Sequence, residues 1–293
     1  MQDRDRTTIF EQERKRLFAL AYRMLGSVAD AEDMVQDSFV RWSNADLKTI
    51  DNPQAFLTTI VTRLSLDHLR SAKTKRTSYV GSWLPEPLLT ESVESPDDIA
   101  QKADDISFAL MATLEKLTAS ERAAFLLHDV FDLPFDQIAK TLDRTEASCR
   151  KLASRARQKV RTDGSETLPM PTNEPLVTSF LNTLQTGDLD SFVNFIAEDA
   201  ILVTDGGGIK SATLRPIYGR EKISRFFIGV ANKFGRPGPD DIKLIQLNGA
   251  PSLLIRDEDG ALQAWSFTWT SDGKIAEFYM LRNPEKLSHL AFD

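Results

Sequence analysis

The chain has 293 residues, of which 41% are hydrophobic and 27% charged, and its formal net charge is −7. These values are ordinary for a folded protein of two or three domains, and they exclude collagen-like, disulfide-stapled and wholly disordered classes. One cysteine, Cys149, excludes an internal disulfide, and three scattered histidines lead us to expect neither a metal site nor a cofactor. The N-terminus carries no charged leader with an apolar stretch, and no window of about 18 apolar residues follows, so we expect a cytoplasmic protein without a membrane span.

Residues 1–77 are predicted to form a helical domain. Apolar residues recur at helical spacing up to Gly26, a residue that is typical of helix C-termini. We expect Asp30 to cap a second helix, which would complete a helical hairpin. A third helix is predicted to begin at the pair Asn52 and Pro53.

Residues 78–105 form an acidic linker. The segment WLPEP at residues 83–87 cannot be helical because of its two prolines, and residues 95–98 continue the acidic, turn-rich composition. An exposed tryptophan in a flexible linker is unfavourable. We therefore expect Trp83 and Leu84 to dock, in an extended conformation, on a folded surface.

Residues 106–162 are predicted to be helical again. A capping-box pattern at residues 118–121 opens one helix, and Pro134 precedes a short one. A three-residue turn at 143–145 then leads into a continuous helical pattern rich in arginine. Two helices joined by such a turn are the layout of a helix-turn-helix, whose second helix fits the DNA major groove.

Two short basic stripes stand out on this acidic chain. Residues 63–76 hold five basic side chains against one acidic, and residues 150–161 hold six against none. Such stripes are typical of phosphate contact, although a solvated helix face has the same composition. Because the second stripe lies on the second helix of the helix-turn-helix, nucleic acid is favoured.

A second linker, residues 163–175, leads to an acidic third domain at residues 176–293. Two amphipathic helices, a strand at 201–204 and a helix around 220–234 are predicted before strands dominate. The alternating Trp265, Phe267 and Trp269 indicate a strand with one buried face. We expect an α+β domain whose curved sheet wraps around its helices.

The first two helical blocks resemble the extracytoplasmic-function sigma factors. Residues 16–26 (RLFALAYRMLG), 29–33 (ADAED) and 35–39 (VQDSF) resemble the polymerase-binding part of sigma region 2, and residues 52–57 (NPQAFL) and 66–70 (LDHLR) resemble its promoter-melting part. Residues 138–139 (IA) and 149–157 (CRKLASRAR) resemble sigma region 4. The resemblance implies a transcription initiation factor with two all-α domains.

The remainder is similar to one subgroup of that family, in which a SnoaL-like domain of the ketosteroid-isomerase cone fold follows region 4. The WLPEP linker, the glycine motif DGGG at 205–208 and the tail NPEKL at 283–287 match the subgroup. Ile209 stands where a lysine usually follows the glycines, and Glu285 replaces the usual aspartate.

The resemblance implies partners and the residues that meet them. Core RNA polymerase would contact the exposed face of the first hairpin, at Asp30, Glu32, Asp33, Gln36 and Asp37. The alternative is that these residues only cap a helix and keep it soluble. Promoter DNA near −35 would be contacted by five cations of the second basic stripe: Arg150, Lys151, Arg155, Arg157 and Lys159. The first three of these would read bases. Opened DNA near −10 would meet a loop and a basic track: Asn52, Arg63, Arg70, Lys73, Lys75 and Arg76.

The subgroup's cone domain is implied to control activity in cis, so that no separate anti-sigma factor is required. The contacts would join the linker, the glycine motif and the tail, and involve Trp83, Leu84, Pro85, Asp205, Gly206, Gly207, Gly208, Lys210, Asn283, Pro284, Glu285, Lys286 and Leu287.

Two alternatives stay open at this point. Cone folds also host enzymes and small-molecule ligands, and Asp205 and Tyr218 are the candidate catalytic groups; the other interpretation is a turn aspartate and a packed tyrosine. The chain could also be a repressor that uses its helix-turn-helix without polymerase.

Overall fold

The structure is a computed structural model that describes residues 2–77, 79–90, 107–162, 174–186 and 188–292. Residues 95–98 of the predicted acidic linker lie outside this part. The contacts divide the chain into two compact units, Met1–Thr77 with Thr113–Asp163, and Ser78–Ala112 with Gly164–Asp293. Within the described part, no helix is both long and apolar enough to cross a membrane.

Three long helices make up the first part of the first unit. They are α1 (Gln2–Leu25), α2 (Val28–Ser43) and α3 (Pro53–Thr77), with a 3-10 turn at Leu47–Thr49. Their apolar stripes face one another, so that Leu17, Leu20, Trp42 and Leu57 are fully buried. The predicted hairpin and third helix are confirmed.

The start of α2 differs from the prediction. Gly26 takes a left-handed φ of 68°, and the helix begins at Val28. Ser27 is the N-cap, because its hydroxyl accepts a hydrogen bond from the Asp30 N–H at 3.3 Å. The prediction that Asp30 caps α2 is therefore wrong. Asp30 lies in the first turn, where its charge suits the helix dipole.

The second part of the first unit contains the helix-turn-helix. It comprises the end of α4 (Phe108–Leu114), then α5 (Ala119–Phe125), a π-helical turn (Leu126–Val130), α6 (Phe135–Leu142) and α7 (Glu146–Thr162). Thr118 and Glu121 form the predicted capping box. The α6–α7 turn is closed by Asp143, whose φ of 52° is left-handed.

Arg122 joins the two parts of this unit. Its side chain is 2% exposed and donates to the Met24 carbonyl at 2.7 Å and to the Glu115 carboxylate at 2.6 Å. Both hydrogen bonds come from Nη1, and the paired carboxylate offsets the cost of burying the charge, although the Arg122 Nε has no partner among the described residues. The contact therefore fixes α5 against the end of α1.

The second unit is an α+β domain, as predicted. Its elements are α8 (Glu174–Thr186), α9 (Leu189–Asn194), β1 (Ile196–Asp205), β2 (Ile217–Tyr218), α10 (Arg220–Phe234), a 3-10 turn (Pro239–Asp241), β3 (Ile242–Leu247), β4 (Ala250–Arg256), β5 (Leu262–Trp269), β6 (Ile275–Leu281) and α11 (Pro284–Leu287). The strands form one sheet in the order β2-β1-β6-β5-β4-β3. Strands β1 and β6 pair in parallel, and the other neighbours are antiparallel.

Both faces of the sheet are covered. On the inner face, Phe278 of β6 and the alternating aromatic residues of β5 pack against Phe180 of α8 and Phe227 of α10. The outer face packs against Leu84 of the linker, Phe108 of α4, and the tail residues Leu287 and Leu290. The linker and the tail are thus part of the fold of the cone domain.

Candidate DNA-binding, polymerase-binding and regulatory sites

Helix α7 buries one face and presents a basic face to solvent. Cys149, Ala153 and Ala156 are fully buried, so this stripe packs against the rest of the unit. Burial raises the pKa of the Cys149 thiol, so this cysteine behaves as a small apolar residue.

Two of the predicted base-reading cations are available. Lys151 and Arg155 are exposed, and neither makes a side-chain hydrogen bond or ion pair with any residue in the described ranges. Arg150 is also exposed, but it pairs with Glu146 at 2.9 Å and lies 5.1 Å from the centre of the Phe135 ring. An exposed pair of this kind contributes little and can be exchanged for DNA.

Arg157 and Lys159, the remaining two of the predicted −35 contacts, are engaged within the unit itself. Arg157 donates to Asp129 at 2.6 Å, and Lys159 donates to Glu121 at 2.8 Å. Burial alone would raise the pKa of Glu121, but hydrogen bonds from Lys159 and Thr118 outweigh it, so the pKa lies below its usual value. Both cations therefore help to hold α7 on α5 and its π-helical turn.

Region 2 residues have similarly mixed roles. Asn52 accepts a hydrogen bond from the Ala55 N–H at 3.0 Å and caps α3. Arg63 donates to the carbonyls of Thr141 and Lys140, at 3.0 and 2.9 Å, and so completes the C-terminus of α6. Exposed Arg70 pairs with Asp67. The side chains of the remaining predicted cations lie outside the described residues: Lys73, Lys75 and Arg76.

The predicted polymerase-binding side chains form one solvent-facing surface of α2. Four of them are exposed: Glu32, Asp33, Gln36 and Asp37. Asp30 lies 3.4 Å from the His68 ring nitrogen, which draws it towards α3. Next to the acidic residues, Val40 is 58% exposed, so an acidic face with an apolar neighbour is available to a partner.

A buried cluster of polar groups joins the linker, the glycine motif and the tail. We call this cluster the clasp; it consists of Tyr79, Leu84, Asp205, Asn283 and Lys286. Each Asp205 carboxylate oxygen accepts two hydrogen bonds. Oδ1 takes the Tyr79 hydroxyl at 2.6 Å and the Gly207 N–H at 3.0 Å. Oδ2 takes the Leu84 N–H and the Lys286 ammonium, both at 2.8 Å. The carboxylate is 1% exposed and completely satisfied.

Lys286 is held as firmly as its partner. Its ammonium also donates to the Leu84 carbonyl at 2.6 Å, and it lies 3.8 Å from the centre of the Trp83 ring. A cation over an indole face gains electrostatic energy when water is excluded, and Lys286 is only 6% exposed. The tail lysine thus fixes both residues at the start of the WLPEP segment.

The glycine motif gives the clasp its shape. A side chain at Gly206 would collide with the Lys210 carbonyl, and one at Gly207, where φ is 63°, would collide with the Asn283 amide. Asn283 itself donates to the Tyr79 hydroxyl at 3.0 Å and caps α11 by accepting from the Glu285 N–H. Only glycine permits this close approach of turn and tail.

The other tail and linker residues take simpler positions. Pro284 is the first residue of α11, a position where the backbone N–H that proline lacks is not needed, and Glu285 is exposed. Leu287 is buried on the outer face of the sheet. In the linker, Pro85 is buried next to Leu84. Gly208 has a φ of 73° and faces Val80. Lys210 does not enter the clasp; it pairs with Asp259 instead.

Sequence reasoning missed several residues that hold the linker. In the sequence, Tyr79 is an aromatic residue shortly before WLPEP, and nothing around it indicates a bond to Asp205. Asn248 accepts from the Leu88 N–H and donates its own N–H to the Leu88 carbonyl, while His289 lies 2.7 Å from the Pro87 carbonyl. No local pattern marks these side chains, because each partner is far away in sequence.

A cavity of about 650 Å³ opens on the inner side of the cone domain. Neither candidate catalytic residue lines it. Asp205 is committed to the clasp. Tyr218 is 60% exposed on the edge strand β2, so the interpretation of this residue as a packed tyrosine is wrong.

Two family models match the helical parts of the chain. Models of sigma-70 region 2 and sigma-70 region 4 match residues 9–75 and 107–160. The chain is 37% identical over 290 residues to the ECF RNA polymerase sigma factor SigJ of Mycobacterium tuberculosis, covering 95% of this chain and 92% of SigJ. It is 36% identical to the probable ECF RNA polymerase sigma factor SigI of the same species, over 61% of this chain and 63% of SigI.

The solved structures add a match over the whole fold. The crystal structure of M. tuberculosis SigJ superposes with a TM-score of 0.78 at 32% identity, covering 98% of this chain and all of that one. The helix-turn-helix, the two matched sigma regions and the cone domain therefore occur together in a relative that is matched over more than nine-tenths of its length. The chain belongs to the extracytoplasmic-function sigma factors and is an alternative sigma factor that directs RNA polymerase in transcription.

Proposed function

We propose that this sigma factor is controlled in cis by its cone domain, which acts through the clasp on the linker between regions 2 and 4. The observation that carries the proposal is the buried Asp205–Lys286 ion pair, to which the linker adds the Tyr79 hydroxyl and both backbone groups of Leu84. A fixed linker conformation sets how the two DNA-reading regions can be spaced, because linker length and stiffness govern their effective concentration on one promoter.

The same proposal assigns the promoter contacts. Lys151 and Arg155 read bases near −35, with Arg150 released from Glu146 on binding. Arg157 and Lys159 support α7 from within the unit and add positive potential towards the phosphates. Near −10, Asn52 and the basic track of α3 hold the opened strand, after Arg63 exchanges the α6 carbonyls for DNA.

The assignment of polymerase contact to α2 rests on its exposed acidic face beside Val40. Because control resides in the same chain, a separate anti-sigma factor is not required. Purified protein and core polymerase alone would then reproduce the regulated behaviour.

A pull-down and a run-off assay with core polymerase test these statements together. The intact chain, a deletion of residues 283–293 and a Lys274→Met control would be compared on a promoter selected from genomic fragments. Lys274 pairs with Asp272 in an exposed turn of the same domain, remote from the clasp in the hydrogen-bonding network. We expect all three to bind polymerase and only the deletion to change promoter-specific transcription. Unchanged transcription by a folded deletion variant would reject control through the clasp.

A further inference from the structure

The cavity of the cone domain is walled mainly by apolar and aromatic side chains. Its volume of about 650 Å³ falls within the range of ordinary small-molecule sites, about 300 to 1,000 Å³. The apolar wall includes Phe192, Phe226, Phe227, Trp265 and Met280. Phe227 touches Phe192 edge-on, with centroids 5.2 Å apart, and Trp265 at 5.5 Å. Such walls suit a flat ring system, because rings pack against both faces and edges.

Six of the charged residues around the cavity form three ion pairs, and the other three that line it, Asp188, Arg236 and Glu258, are exposed to solvent. Lys210 pairs with Asp259, Arg256 with Asp241 at 2.9 Å, and Arg282 with Asp257 at 2.7 Å. All six of these residues line the cavity. A charged ligand would lose its hydration on entering the cavity, and these six residues already neutralise one another, so they would not compensate for that loss.

Among the inner polar groups, the indole of Trp265 and the amide of Gln263 have partners, whereas the buried Arg282 Nε has none among the described residues. Trp265 donates its indole N–H to Gln263 at 3.1 Å, and Gln263 donates in turn to Asp257. Apart from this one N–H and the solvent-exposed charges, the wall therefore favours an occupant that is uncharged and largely apolar.

The cavity and the clasp lie on opposite faces of the same two strands. Thr204 of β1 and Met280 of β6 are paired in the sheet, and both line the cavity. The next pair along the strands is Asp205 with Leu281, and Leu281 belongs to the outer cluster with Leu84. Since successive strand residues alternate between faces, one short stretch of β1 and β6 carries a cavity wall on one side and the clasp on the other.

Arg282 provides a second connection. Its guanidinium lines the cavity and donates to the Ser211 carbonyl at 2.6 Å, while its backbone N–H donates to the Asp205 carbonyl at 2.7 Å. A displacement of this cavity-lining residue is therefore transmitted to the residue at the centre of the clasp.

We propose that the cone cavity binds a small, uncharged, ring-containing apolar molecule, and that its occupation tightens the clasp. The binding half stands on the cavity alone; the coupling half rests on the proposed function. A ligand packed against Thr204 and Met280 restrains the motion of β1 and β6. The linker held on the other face of these strands then detaches less often.

Binding is tested with the full chain and the uncharged fluorescent naphthyl ketone Prodan, with anilinonaphthalene sulfonate as its charged counterpart. Saturable one-to-one binding of Prodan is expected, about tenfold tighter than that of the sulfonate. Ala231→Trp, which fills the cavity from α10, should weaken Prodan binding by about tenfold or more. Asn232→Trp, an exposed neighbour that does not line the cavity, should leave it unchanged.

Circular dichroism would establish that both variants are folded, and Ala231→Leu serves as a smaller filling with a smaller loss of affinity. Absence of saturable binding, equal binding by the Ala231 and Asn232 variants, or a preference for the sulfonate would overturn the site.

Coupling is tested by hydrogen–deuterium exchange of the Leu84 and Thr90 amides, which donate to Asp205 and to the Gln246 carbonyl. Saturating Prodan should slow exchange at Leu84 by about threefold or more, while helix α1 remains unchanged as an internal reference. Prodan binding without slower exchange at Leu84 would overturn the coupling. If clasp variants instead leave transcription unaltered, the proposed function fails, whereas the binding result is unaffected.

Discussion

Asp205 and Lys286 form an ion pair that is almost completely removed from water. Desolvating two charges is expensive, and it is offset here only because every carboxylate lone pair and two ammonium hydrogens meet a partner. Such a pair adds little net stability compared with apolar residues, but it is very sensitive to the loss of one partner. The clasp is thus specific: it closes only when linker, turn and tail are all in place.

Lys286→Met should destabilise the cone domain by about 3 to 5 kcal/mol, because Asp205 would be left buried without its cation. Urea unfolding monitored by tryptophan fluorescence measures this loss. The double variant with Asp205→Asn should recover part of it, since no unpaired charge is left, and Lys274→Met should have little effect. Equal stability of Lys286→Met and the intact chain would show that the ion pair is not formed.

The Tyr79 hydroxyl gives the clasp a dependence on alkaline pH. Burial, together with the hydrogen bond to Asp205 and the charge of that carboxylate, raises the pKa of Tyr79 well above its usual value of 10.0. Because the folded pKa lies above the unfolded pKa, the contribution of Tyr79 is fully present below pH 10 and is lost as pH rises further.

Tyr79→Phe should therefore lower the free energy of unfolding by about 1.5 kcal/mol at neutral pH. The difference from the intact chain should shrink above pH 10, because only the intact chain has this phenol to ionise. Unfolding curves of both proteins over this pH range provide the measurement. A difference that stays constant would contradict the proposed role of the hydroxyl.

At the scale of elements, local patterns predicted most of the helices. The capping box at Thr118, the start of α3 and the full extent of α10 follow from residues adjacent in sequence. The error at Asp30 arose because Ser27 and Asp30 are both good caps, and the left-handed Gly26 decides between them. Strands were predicted where aromatic residues alternate, as in β5, whereas β1 begins earlier than expected because a register shift near residue 196 breaks its pattern.

The pairing of charges could not be predicted from the sequence. Arg157 meets Asp129 across 28 positions, and Arg63 meets the end of α6 across 78. Lys286 and Asp205 are 81 positions apart. A basic stripe therefore indicates the sign of a surface, while the fold determines which of its cations remain available.

The available cations of α7 lead to a prediction about promoter recognition. Arg155→Ala should cost about 1 to 3 kcal/mol of promoter binding by the holoenzyme and relax the preference for one base near −35. Lys222→Ala removes an exposed charge from α10 and serves as the control. Binding to templates substituted singly across the −35 element measures both effects. Equal losses on every template would show that Arg155 contacts phosphate only.

At the scale of the whole molecule, an acidic chain carries two modest basic surfaces. With a net charge of −7, the free protein is expected to bind duplex DNA weakly and with a strong dependence on salt. Core polymerase should increase promoter affinity by about a hundredfold or more, because it engages both surfaces together. Fluorescence anisotropy with labelled promoter DNA tests this. Tight, sequence-specific binding by the free chain would favour the repressor alternative.

Control in cis is tested most directly by multiple-round transcription at equal holoenzyme concentration, with the intact chain, Lys286→Met and Lys274→Met compared under conditions in which all three are folded. We expect the amount of promoter-specific transcript from Lys286→Met to differ about threefold or more from the other two, while polymerase binding is equal in all three. Identical transcript levels from the three proteins would contradict the account, because a clasp that can be broken without consequence does not govern initiation.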